Sequence, residues 1–193
     1  MVSVPDSRSS PAFLSDGAAR IRAAVPEDAE TWVETHLEAM ARAYAALMPS
    51  EFMVQQRQRA SQRVDDVRAD LVSERDDPGG PLAAWVAEDD LGMVAVARIR
   101  RGPAEWEVDR DVPPAGPALQ LRTLYALPRA HGTGLGQALL ETAIGDHATY
   151  LWLVGGNARA GAFYRRNGFV PDGIEMAGGP SWYGRPMIRH HRL

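Results

Sequence analysis

The chain contains no cysteine. That excludes disulfides, thiolate nucleophiles and cysteine-based zinc sites, although it does not fix the compartment. Lysine is absent too, so the 21 strongly basic side chains are all arginines, as a GC-rich genome would produce. Without lysine there can be no Walker phosphate loop. No apolar run approaches the ~18 residues that cross a membrane. There is no basic excess either: a net charge of -4 speaks against a general nucleic-acid binder. Met1 to Ser10 lack the apolar stretch of a secretory signal, so a cytoplasmic location is the default expectation.

What is present suits one soluble domain. The 193 residues are 45% apolar and 24% charged, enough to bury a core. Residues 1–19 are rich in Ser, Pro and Asp and read as a flexible N-terminal tail, leaving 20–193 as a single domain. Ile21 to Ala24 could form a short first strand. Pro26, Glu27 and Asp28 open a helix, with proline in its first turn and acids at the positive end of the dipole. Ala29, Trp32, Val33, His36, Leu37, Met40, Tyr44 and Leu47 follow at helical spacing, up to Pro49. Ser50 caps a second helix with Phe52, Gln56, Ala60, Val64, Val67 and Leu71 on one stripe.

After the break from Asp76 to Pro81, Leu82 to Ala87 and Met93 to Ile99 predict a hairpin. A long loop from Arg101 to Pro117 holds Glu105, Trp106, Glu107, Asp109 and Asp111. Ala118 to Leu127 predicts another strand, followed by a glycine-rich turn and a helix carrying Leu135, Ala138, Leu139, Thr142 and Ala143 on one face. Tyr150 to Val154 predicts a strand, and Ala158 to Asn167 a helix that closes at Gly168. Phe169 onward and Pro186 to Leu193 read as the last two strands. The fold class is therefore α/β (α+β). It has a mixed, mostly antiparallel central sheet of six to seven strands, flanked by about four helices.

The informative segment runs from Leu124 to Leu140. A strand enters the turn His131-Gly132-Thr133-Gly134-Leu135-Gly136, and the turn opens a helix. Clustered glycines let backbone N–H groups converge, and the helix dipole adds positive potential, which suits a pyrophosphate. A purely structural corner would use the same glycines. A dinucleotide fingerprint is disfavoured, because Gly136 is followed by Gln137 and the G-x-G-x-x-G spacing fails.

Together with the downstream Asn157-Ala158-Arg159-Ala160-Gly161-Ala162-Phe163-Tyr164-Arg165-Arg166-Asn167-Gly168-Phe169, this segment resembles the GNAT superfamily of acetyl-CoA-dependent N-acetyltransferases. The family's Arg/Gln-x-x-Gly-x-Gly/Ala turn is matched by Gly134 and Gly136, with His131 in place of the leading Arg/Gln. Its Asn-x-x-Ala-x-x-Phe-Tyr…Gly-Phe pattern has every anchor. The resemblance implies a GNAT-like acyl-CoA acyltransferase fold, with the sheet splayed between the fourth and fifth strands around the pantetheine arm. Leu124, Tyr125 and Ala126 would lie along pantetheine, the turn amides from His131, Gly132, Thr133, Gly134, Leu135 and Gly136 would hold the pyrophosphate, and Asn157, Ala160 and Tyr164 would complete the cofactor site. Asn157 also suits a helix N-cap before Ala158.

Tyr164 shares a helical face with Ala160 and Phe163. It reads either as a core aromatic with a satisfied hydroxyl or as the general acid that protonates the departing thiolate. The resemblance makes a glutamate expected on the strand to deprotonate the acceptor. Aligning Leu124-Tyr125 puts Gln120 there instead, and an amide is not a base. Glu105, Glu107 and Asp109 could serve only if their loop folds over the cleft; the loop's acidity hints at a cationic acceptor, and a solvated loop gives the same sequence. His36, Trp182 and Tyr183 lie near where relatives build acceptor sites; packing explains Trp182 and Tyr183 equally well, and a partly buried structural histidine is the preferred reading of His36. His190 and His191 point to opposite faces of a strand, so no metal is expected.

The expected function is acetyl transfer from acetyl-CoA, as co-substrate, to a primary amine of a small molecule, peptide or protein. The alternative is a non-catalytic acyl-CoA-binding sensor that retains the cofactor site. The expected partner is the amine acceptor, with neither nucleic acid nor membrane; homodimers are common in the superfamily and are carried as an expectation.

Overall fold

The computed structural model describes residues 12–13 and 19–193. Most of the segment read as a tail lies outside them. Eight strands form one sheet: β1 (Ala12–Phe13), β2 (Ala19–Ala23), β3 (Leu82–Asp89), β4 (Gly92–Arg101), β5 (Leu119–Ala126), β6 (Thr149–Val154), β7 (Val170–Ala177) and β8 (Pro186–Arg192). Their spatial order is β1-β2-β3-β4-β5-β6-β8-β7. Only β5 and β6 pair in parallel; every other neighbouring pair is antiparallel. The mixed, mostly antiparallel sheet is the expected one, with seven substantial strands and a two-residue addition at one edge.

Six α-helices flank it: α1 (Ala29–Tyr44), α2 (Glu51–Gln58), α3 (Ala60–Asp76), α4 (Glu105–Asp109), α5 (Leu135–Ile144) and α6 (Ala158–Arg166). Two departures from the sequence reading account for the larger number. The stripe read as one helix after Ser50 breaks at Arg59, whose ψ of 7° leaves the helical region. The two halves dock separately, α2 through Phe52 and Gln56, α3 through Val67, Leu71 and Glu74. The loop read between Arg101 and Pro117 also contains a short helix, α4.

Helices cover both faces of the sheet, so the central strand β4 is buried on both sides from Met93 to Ile99. On one face, Ala95, Ala97 and Ile99 pack with Leu121, Leu151 and the α5 residues Leu139, Leu140 and Ile144. On the other, Val86, Val96 and Met93 meet Trp32, Val33 and Leu37 of α1 and Val67 and Leu71 of α3. The alternation that sends β4 side chains to both faces is why it reads as a continuous apolar run.

The feature that makes a site is a split in the sheet. β5 and β6 pair only at Leu119↔Thr149 and Gln120↔Tyr150. Beyond that point β5 stays with β4 to Ala126, while β6 stays with β8 to Val154. The register between β4 and β5 shifts at this same place: Arg98 faces Thr123 but Ile99 faces Leu121, so Arg122 is the extra residue of a bulge. A bulge bends its strand and sharpens the twist, which carries β5 away from β6 immediately after their last shared pair.

Candidate active site

The parted strands enclose a cavity of about 680 Å³. Leu121, Arg122, Leu124, Tyr125 and Ala126 line it from β5, and Leu151, Trp152 and Leu153 from β6. The turn before α5 contributes His131, Gly132, Gly134 and Gly136, while α6 contributes Ala160, Phe163 and Tyr164 beside Asn157. Ten of the twelve residues expected at a cofactor site therefore converge on one space; Thr133 and Leu135 do not line it.

The turn explains that division. Gly132 and Gly134 have φ of +80° and +84°, a region L side chains rarely adopt. Thr133 Oγ1 donates to Ala130 O at 2.8 Å and accepts from the Leu135 N–H at 3.3 Å, so this residue braces the turn from within. Leu135 is buried in the core at the start of α5. The His131 N–H donates to Pro128 O, and its ring Nε2 reaches Ala126 O at 3.0 Å. Bonded to a carbonyl, Nε2 must carry the proton. The imidazole pKa is lowered, chiefly by burial, with Arg159 adding to that effect. The amides of Gly132, Gly134, Gly136 and Gln137 have no acceptor among the described residues. These four, rather than those of His131, Thr133 and Leu135, are the donors free to meet an anion at the start of α5.

Asn157 caps α6: its Oδ1 accepts from the Ala160 N–H at 3.1 Å. Its remaining amide group lies beside the Tyr44 hydroxyl. Tyr164 is 8% exposed and its ring sits edge-on to Phe163 and Phe169. The hydroxyl has no hydrogen-bond partner among the described residues, so it is not the satisfied core phenol. Burial, then the neighbouring Tyr44, raises its pKa well above that of a free phenol. The proton is held at neutral pH, and the group acts as a donor.

Several lining residues were not singled out from sequence. Tyr44 at the end of α1 shares a hydroxyl–hydroxyl bond of 2.9 Å with Tyr125, whose side chain thus matters beside its backbone. Tyr44 also packs edge-on against Phe52 and Trp182, which puts Trp182 in an aromatic wall beside the cleft. Arg42, Arg122, Arg159 and Arg166 line the cavity, a positive boundary suited to phosphates. Only distance in the chain hid them: four arginines among 21 basic side chains carry no local signal.

His36 is buried against Tyr125, with ring centroids 4.6 Å apart. Burial, helped by Arg63 and Arg98, drives its pKa down to about 3, so the imidazole is neutral. Glu107 is 3% exposed. It accepts from the Ala104 N–H, Gln120 Nε2, the Tyr150 hydroxyl and Trp152 Nε1, at 2.7 to 3.1 Å. The acidic loop does fold onto the sheet, but this carboxylate is committed to internal donors. Glu107 therefore lends no support to a cationic acceptor. Among the described residues, no group of three or more His, Asp or Glu side chains could hold a metal ion. No helix described here is long and apolar enough to cross a membrane.

A mixed sheet split beside a glycine turn, with a phenol facing the gap, defines the acyl-CoA acyltransferase class of fold. Residues 81–171 match the family model of the acetyltransferase (GNAT) domain. That match spans just under half of the chain and takes in both motifs, so over this stretch the chain is similar to a GNAT acetyltransferase domain. Solved structures agree in fold. The PaiA N-acetyltransferase of Thermoplasma acidophilum, in complex with coenzyme A, aligns with a TM-score of 0.65 and 17% identity over 89% of this chain and 98% of its own. An acetyltransferase from Thermus thermophilus aligns with a TM-score of 0.55 and 23% identity, over 91% and 96% of the two chains. A spermidine N-acetyltransferase chimera from Vibrio cholerae and hSSAT gives a TM-score of 0.59 at 15% identity over 91% and 95%. Among curated proteins none matches the sequence.

Proposed function

We propose that the protein transfers the acetyl group of acetyl-CoA to a primary amine by direct attack within a ternary complex. The observation that supports this most is one continuous cavity, which joins the free amides at Gly132, Gly134 and Gly136 to the unpartnered hydroxyl of Tyr164. Phosphates at the turn would place an extended pantetheine arm between β5 and β6, where strand backbone freed by the split can hold it. The thioester then lies near Tyr164. The phenol keeps its proton because burial disfavours the phenolate, so it can donate to sulfur as the C–S bond breaks. The amine enters from the side of Tyr44, Tyr125 and Trp182, where aromatic rings form the wall.

The test is release of coenzyme A thiol from acetyl-CoA in the presence of spermidine, free amino acids and a peptide with a lysine side chain. Amine-dependent release with formation of the acetamide supports the assignment. Calorimetric binding of acetyl-CoA with no turnover for any amine would replace it with an acyl-CoA sensor. Absence of binding would remove both.

A further inference from the structure

Arg63 of α3 is a half-buried arginine without an acid. Its Nη2 donates to Gln56 Oε1, and among the described residues no carboxylate forms an ion pair with it. Burial lowers its pKa; Tyr125 and Asp66 oppose that effect and Arg59 adds to it. Asp66 is exposed and takes the side-chain amide of Gln62. A guanidinium keeps its charge even so. A cation drawn partly out of water with only a neutral amide to bond is costly unless an anion meets it.

The surrounding contacts place this charge on the acceptor side of the cleft. Gln56 is buried, and its Nε2 donates to Ser181 O at 3.4 Å, beside Trp182. Trp182 and Phe52, the latter one turn before Gln56, both pack on Tyr44, whose hydroxyl meets that of Tyr125. Burial and the neighbouring phenols raise the Tyr125 pKa, and the charge of Arg63 pulls the other way, so the guanidinium acts on this hydroxyl directly. His36, whose ring lies 4.6 Å from that of Tyr125, feels Arg63 and Arg98, both positive. Arg98 is already paired with Asp70. Arg63 is the uncommitted one.

We propose that the acceptor is an amino acid whose carboxylate pairs with Arg63 while its amine lies against the hydroxyls of Tyr44 and Tyr125. The inference rests on the acetyl-transfer reading above and names the class of amine. A planar guanidinium offers a carboxylate parallel N–H groups at fixed spacing, so it sets the acceptor's direction as well as holding it. A polyamine would instead bring a second ammonium up to this cation. Like charges repel most where water is partly excluded, so the same residue that attracts an amino acid rejects a polyamine.

The test compares kcat/KM for the most active free amino acid of the panel above with that of its carboxamide, in the wild type and in Arg63→Gln. The carboxamide keeps the shape, loses the charge and has a less basic amine. That difference in basicity is common to both proteins, so it cancels when their acid-to-amide ratios are compared. A general loss of activity in the variant cancels within its own ratio. The ratio should fall about ten- to hundredfold in Arg63→Gln, the scale of a lost charge-assisted hydrogen bond, and mainly through KM. An unchanged ratio would overturn the proposal with acetyl transfer intact. A second measurement needs the wild type alone. The N-acetylated amino acid should compete with the acceptor at least about tenfold more strongly than its carboxamide does. Equal inhibition by the two, or turnover of the other amines with no amino acid accepted, would also overturn the proposal. Acetyl-CoA turnover that no amine stimulates would instead remove the acetyl-transfer reading, and this assignment with it.

Discussion

The hydroxyls of Tyr44 and Tyr125, two residues that line the cleft, meet at 2.9 Å, although 81 positions separate them in the chain. Only one of the two protons can lie between the oxygens, so the other remains as a donor at the edge of the cavity both residues line. Burial raises the pKa of both groups, which keeps both protonated.

Tyr44→Phe removes one half of this pair and lets the Tyr125 hydroxyl turn freely. Loss of one neutral hydrogen bond, about 1 kcal/mol, corresponds to roughly fivefold in rate. Turnover with a given amine should fall by about that factor, with acetyl-CoA affinity held within about twofold. Steady-state kinetics beside calorimetry separates the two. Equal loss of both would mean that Tyr44 shapes the cofactor channel rather than the acceptor side.

Tyr164→Phe should behave differently. Deleting a hydroxyl that has no partner among the described residues breaks no internal bond, so the melting temperature should stay the same or rise. Turnover should nevertheless drop by about a hundredfold, the usual scale for a lost general acid, with binding of acetyl-CoA nearly intact. An enzyme that keeps its rate would show that the thiolate leaves without help from this phenol.

Two glycines of the turn make a contrasting pair. At Gly134 a Cβ would meet nothing within 4 Å, but φ is +84°, so Gly134→Ala carries a backbone cost alone. That cost is about 1–2 kcal/mol, several degrees in melting temperature. At Gly136 a Cβ would touch Phe163 Cε2 at 3.8 Å, an ordinary contact on unstrained backbone. Gly136→Ala should therefore fold as well as the wild type, yet place a methyl group on the cavity wall. Its affinity for acetyl-CoA should fall by at least about tenfold. Unaltered affinity in a stable Gly136→Ala protein would move the cofactor away from this turn.

Much of this architecture was legible because local patterns carry it. The helical stripe from Ala29 to Tyr44 is buried as its spacing implies, and Gly168, at φ +81°, ends α6 as a left-handed cap. The glycine turn and the Asn157 cap are each written within a few residues. Long-range electrostatics were not legible. Glu107 sits in an acidic stretch like any solvated loop, and its side-chain partners lie 13, 43 and 45 positions away. The break at Arg59 was hidden for a related reason. The apolar stripe runs unbroken across it, and only separate docking of α2 and α3 cuts the helix there.

Glu74 supplies a test of stability that is independent of the cleft. This α3 carboxyl is 9% exposed, and burial raises its pKa from 4.5 to about 7 against the opposing help of the Ala84 backbone amide. A raised carboxyl pKa means that the fold prefers the neutral form. The contribution is fully present below pH ~4.5 and is lost as pH rises through about 7. Above that, the folded protein holds a desolvated charge that the unfolded chain keeps in water. Glu74→Gln keeps the shape without the charge. At pH 5 its melting temperature should match that of the wild type closely. At pH 8 it should exceed it by several degrees, since a shift of this size is worth about 1–3 kcal/mol. Thermal unfolding of both proteins at the two pH values gives the answer, because titration of other groups cancels in the difference. A gap that is the same at pH 5 and pH 8 would show that Glu74 reaches solvent or a counter-charge when ionised.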